Sequence, residues 1–91
     1  MPESYTVTIK LVSNNRPCWA GHEIGQEWTF ENMVPDGMCA SAWHAVYPYA
    51  LAMTAGGVFP WQDDPDVLVV SCPDSQVQNI FELRRRRRAD A

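Results

Sequence analysis

Apolar and polar residues alternate with a period of two at the start of the chain. Tyr5, Val7, Ile9 and Leu11 alternate with Thr6, Thr8 and Lys10. That pattern predicts a half-buried strand. Ser13-Asn14-Asn15-Arg16-Pro17 ends it with turn-forming residues. Cys18-Trp19-Ala20-Gly21-His22 reads as a compact loop. Glu27 to Phe30 places Trp28 and Phe30 on one face of a short strand, and Glu31 to Asp36 is a connector.

From Asp36 or Gly37 the pattern becomes helical. Asp36 is the N-cap candidate, because its carboxylate can accept from an unpaired N–H of the first turn. Alanines at 40, 42, 45, 50 and 52 favour the helix. Pro48 lacks the donor for the carbonyl of His44, which predicts a kink or two short helices meeting at Tyr47-Pro48. Gly56-Gly57 stops the helix. Val58 to Asp66 is a loop and Val67 to Ser71 an apolar strand. Cys72-Pro73-Asp74-Ser75 forms a turn, with Asp74 as its cap. Val77 to Leu83 is a last strand with Phe81 and Leu83 inward. The order predicts an α+β fold: one kinked helix on a small antiparallel sheet or partly closed barrel.

Ninety-one residues make a single domain with a small core. Four tryptophans, three tyrosines and three phenylalanines must supply much of it, and self-association as a homo-oligomer would help complete it. No apolar run is long enough to cross a membrane, and the start of the chain lacks the basic and apolar segments of an export signal. The expected setting is the cytoplasm, where three cysteines stay as thiols.

Charge divides the chain at residue 83. Residues 1–83 contain ten acids and only two bases, Lys10 and Arg16. Arg84 to Arg88 then follow without interruption. The expected organisation is an α+β domain over 1–83 and a flexible arginine-rich tail over 84–91. The acidic domain argues against nucleic acid as a partner, and the arginine run lacks interleaved aromatics.

Candidate chemistry gathers on five side chains: Cys18, His22, Cys39, His44 and Cys72. At a helix start, Cys39 meets free N–H groups and a favourable dipole, which suits a thiolate nucleophile. His44 lies about 140° around an ideal helix from Cys39, so His22 is the better imidazole partner. Cys39 could equally pack beside Trp43, its neighbour one turn on. Cys18, His22, Cys39 and Cys72 form a four-ligand set of a kind suited to zinc or Cu(I). No Cys-x2-Cys knuckle supports that set. Trp43, Tyr47 and Trp61 could line a small-molecule site, or serve as core or subunit interface. Asp63, Asp64 and Asp66 lack the spacing of a calcium loop.

Several pieces stand together: Cys18; Gly21-His22-Glu23-Ile24-Gly25; Gly37-Met38-Cys39; Trp43-His44; Tyr47-Pro48; Gly56-Gly57-Val58-Phe59-Pro60-Trp61; Cys72-Pro73-Asp74. In this combination, over residues 5 to 84, the chain resembles a family of short bacterial and archaeal proteins with no assigned activity. The resemblance implies that the cysteines and histidines travel together, and it carries over no catalytic residue. Two function classes follow. One is a Cys/His site for thiol redox, metal binding or small-molecule chemistry. The other is a non-catalytic oligomeric binding or assembly module with structural cysteines.

Overall fold

A computed structural model describes residues 5–73 and 76–88 of the chain. Its elements are β1 (Tyr5–Ser13), β2 (Glu27–Phe30), α1 (Ala40–Thr54), β3 (Val67–Ser71) and β4 (Ile80–Arg87). The four strands form one antiparallel sheet in the order β2-β1-β4-β3. β2 and β3 are both edges, so the sheet is open and the barrel alternative is not realised. The fold is α+β, with α1 packed on one face.

The period of two sets that face. Val7, Ile9 and Leu11 of β1 point under the helix, with Trp28 and Phe30 of β2, Leu68 and Val70 of β3, and Phe81 and Leu83 of β4. All are buried. Thr8, Lys10, Glu82 and Arg84 lie on the other, uncovered face. The helix answers with Ala42, Val46, Ala50 and Met53, one stripe at helical spacing. The small alanines on this stripe leave room for the large residues of the sheet to fill the core.

Pro48 lies within a single fifteen-residue helix and does not divide it in two. It sits on the exposed side, so the missing hydrogen bond to the His44 carbonyl falls away from the core. The helix ends in a Schellman arrangement. The N–H of Gly56 donates to the carbonyl of Met53, and that of Gly57 to Ala52. Gly56 has φ +87°, a left-handed conformation that a side chain resists.

Two boundaries differ from expectation. Cys39, not Asp36, is the N-cap: its backbone is extended, and its Sγ accepts from the N–H of Ala42. Asp36 is exposed, three residues outside the helix cap. The last strand begins at Ile80 and runs to Arg87, so the division between domain and tail at residue 83 is corrected. Arg84, Arg85, Arg86 and Arg87 pair with Thr8, Val7, Thr6 and Tyr5 of β1. The inward alternation of Phe81 and Leu83 simply continues to Arg85, which is buried.

Arg85 holds three elements together. Its Nη1 donates to the carbonyls of Met53 (3.1 Å) and Gly57 (2.8 Å), at the negative end of the helix. Its Nε donates to Asp66 Oδ1 at 3.1 Å, and the guanidinium lies 4.5 Å from the centroid of the Tyr5 ring. The turn expected at Asp74-Ser75 and the final Ala89-Asp90-Ala91 lie outside the described residues.

Candidate functional site

The site begins with a turn. The N–H of Gly21 donates to the carbonyl of Cys18 at 2.9 Å, and Gly21 has φ +84°. That left-handed step delivers His22 under the start of α1. The same loop is tied to the sheet by two further bonds. Gly25 N–H donates to Leu11 (2.8 Å), and Leu11 N–H to Gln26 (3.0 Å).

His22 is buried, and its Nε2 accepts from the backbone N–H of Cys39 at 3.1 Å. An imidazole that accepts through Nε2 is neutral, with its proton on Nδ1. Burial lowers the His22 pKa from its ordinary value of 6.5 by penalising the charged form. Trp28 meets the ring edge-on at 4.8 Å, and Phe81 meets Trp28 edge-on at 6.1 Å. His22 is therefore a pin between loop, helix start and sheet.

The fold brings His22 and Cys39 together, and the contact is to the backbone of Cys39. The imidazole lone pair that a general base would need is already occupied by an N–H. Cys39 Sγ is engaged at 3.5 Å as the helix cap. His44 is exposed on α1, apart from this pair. Cys18 and Cys39 are half-buried and Cys72 buried, and all three are free thiols.

The four-ligand set of Cys18, His22, Cys39 and Cys72 is not assembled. Among the described residues no three His, Cys, Asp or Glu side chains converge as metal ligands do. The physical reason lies in placement. Cys72 closes β3 at one edge of the sheet, whereas His22 is held against Trp28 near the opposite edge.

The aromatic set also splits. Trp43 and Tyr47, one turn apart, pack with each other at 5.2 Å and with Phe30 at 5.1 and 6.2 Å. They line a cavity of about 340 Å³ with Val34, Leu51 and Thr54, beside β2. Trp61 stands across the helix, stacked on Phe59 at 4.9 Å and lining a groove of about 360 Å³ with Tyr49 and β3. Trp43 and Tyr47 thus line one pocket and Trp61 another.

Arg85 is the residue that sequence reasoning missed. Its signal was the phase of the strand: position 85 follows 81 and 83 on the inward face. The glutamine of the Phe-Pro-Trp-Gln segment was missed too. Gln62 Oε1 accepts from Phe59 N–H at 2.7 Å, and its Nε2 donates to the Val67 carbonyl at 2.9 Å. It fastens the loop to the first residue of β3.

Comparison with family models, with curated proteins and with solved structures finds no match. Among the described residues, no helix is long and apolar enough to cross a membrane.

Proposed function

We propose that this protein is a non-catalytic binding and assembly module that works as a homo-oligomer in the cytoplasm. The observation that carries this reading is its apolar surface. Among the described residues, Trp19, Ile24, Met33, Val34, Leu51, Val58, Trp61 and Val69 are all exposed, and Trp19 is 78% exposed. Trp61 and Val69 gather at the β3 groove, and Val34 and Leu51 at the cavity beside β2; apolar surface gathered in this way supports an interaction site. The occupied imidazole of His22 and the capping role of Cys39 support the same reading, because both groups are committed to the fold.

A thiol site is the second reading, favoured by one observation. Cys39 Sγ lies at the N-terminus of α1, where a thiolate is stabilised, and its side chain is only half-buried. Its chemistry would need an accessible sulfur and a base other than His22.

Sedimentation equilibrium over a hundred-fold range of protein concentration tests the assembly reading. A defined oligomer is expected, and it should survive Cys39→Ser and Cys72→Ala. A protein that stays monomeric throughout overturns the reading.

A further inference from the structure

The two edges of the sheet are built differently. β2 is four residues long, starts at Glu27 and is followed by Glu31, the charged and short kind of edge that resists pairing. β3 reads Val67-Leu68-Val69-Val70-Ser71, with no charge and no proline. Such an edge is a template for another strand.

The hydrogen-bond phase of β3 says which groups are on offer. Arg85 N–H donates to the Asp66 carbonyl, and Cys72 N–H to the Asn79 carbonyl. With Leu68 opposite Leu83 and Val70 opposite Phe81, the even-numbered residues turn their backbone groups toward β4. The odd-numbered residues turn theirs outward. Val67 is already satisfied at that edge, its N–H by the Asp64 carbonyl and its carbonyl by Gln62. The N–H and C=O groups of Val69 and Ser71 remain, with no partner among the described residues.

We infer that β3 pairs antiparallel with β3 of a second copy, about a two-fold axis at Val70. This inference rests on the assembly reading and names its surface. Val69 then faces the partner's Ser71, and Ser71 the partner's Val69, each as a hydrogen-bonded pair. The two Val70 residues face each other between them. The outward groups of one copy match those of the other, which is what an isologous contact demands.

Charge and side-chain placement favour this chain's own strand as the occupant. The row to be covered is neutral, so a charged strand would lose hydration with nothing in return. The Val67–Ser71 segment is itself neutral and apolar. Leu68 and Val70 lie on the helix side of the sheet, so the partner's Val70 enters the groove lined by Tyr49 and Trp61. Trp61, 64% exposed, adds on the order of 150 Å² of apolar cover per copy. Counted on both copies, the two tryptophans add about 300 Å² to the strand pairing itself, a small contact by the standard of specific interfaces. Association of this size is concentration-dependent.

Val69→Lys is the test, with Thr29→Lys on the opposite edge as control. The Val69 side chain is 59% exposed on the uncovered face, so lysine leaves the β4 ladder and the core intact, which circular dichroism checks. Val69→Lys should weaken self-association at least ten-fold, and Thr29→Lys should leave it unchanged. Amide exchange at Val69 and Ser71 should slow as wild-type concentration rises. An oligomer that persists in Val69→Lys, with exchange at these amides insensitive to concentration, overturns the edge pairing and leaves the assembly reading standing. A wild-type protein that is monomeric at every concentration overturns both.

Discussion

Nε2 of His22 accepts from the backbone N–H of Cys39, seventeen residues away, at 3.1 Å. The bond satisfies a donor at the start of the only helix among the described residues, and it is made by a side chain from the loop between β1 and β2. It exists only while the imidazole is neutral. Protonation removes the acceptor and sets a cation against the positive end of the helix dipole.

Stability should therefore fall on acidification. The folded pKa of His22 lies below 6.5, so the unfolded chain takes up the proton first as pH drops. The contribution is fully present above about pH 7. It declines from about 6.5 downward, by at most about 1.4 kcal/mol per pH unit. Urea midpoints measured from pH 8 to 5 should show this decline in the wild type. His22→Gln keeps an acceptor without the titration, and its profile should be flatter in that window.

Arg85 should behave unlike its neighbours in the arginine run. Arg85→Met removes the guanidinium donor from the carbonyls of Gly57 and Met53, the latter keeping the Gly56 N–H, and should cost about 1–3 kcal/mol. The ion pair with Asp66 contributes little of this, since the Asp66 side chain is 56% exposed. Arg84→Ala and Arg86→Ala, on the exposed face, should stay within about 0.5 kcal/mol of wild type. Chemical denaturation of the three variants separates these outcomes. Truncation after Leu83 removes half of β4 and should abolish the folded state, seen as loss of a cooperative transition.

Gly56→Ala should destabilise by about 1 kcal/mol, because alanine must adopt φ +87° to keep the helix stop. Gly57 meets a different limit: a Cβ there would lie 2.9 Å from the Ala52 carbonyl oxygen. Thermal melts of the two alanine variants should therefore both shift downward.

The sheet was legible where the period of two is carried by residues of ordinary polarity. Tyr5 to Leu11 and Glu27 to Phe30 are strands on that pattern, Val67 to Ser71 is the strand that its apolar run predicts, and Gly56-Gly57 stops the helix as expected. The pattern failed at Arg85, because an arginine in an inward phase looks like a tail until the helix end that neutralises it is in view. The N-cap went to Cys39 over Asp36 because His22 fixes the chain there, a long-range bond that local preference does not encode. The proximity of His22 and Cys39 was readable, but which atom of Cys39 faces the imidazole was not. The convergence of Cys18, His22, Cys39 and Cys72 failed because spacing along the chain does not say which edge of the sheet each residue reaches.

The His22–Cys39 pair is a fastener of the fold, and the proposed function lies on the surface. The rate of Cys39 alkylation by iodoacetamide, followed by peptide mapping from pH 5 to 9 in wild type and His22→Gln, tests this most directly. The same pH profile is expected with and without the imidazole, alongside a lower melting temperature in the variant. A fast wild-type reaction near neutral pH that disappears in His22→Gln, with folding intact, would contradict it.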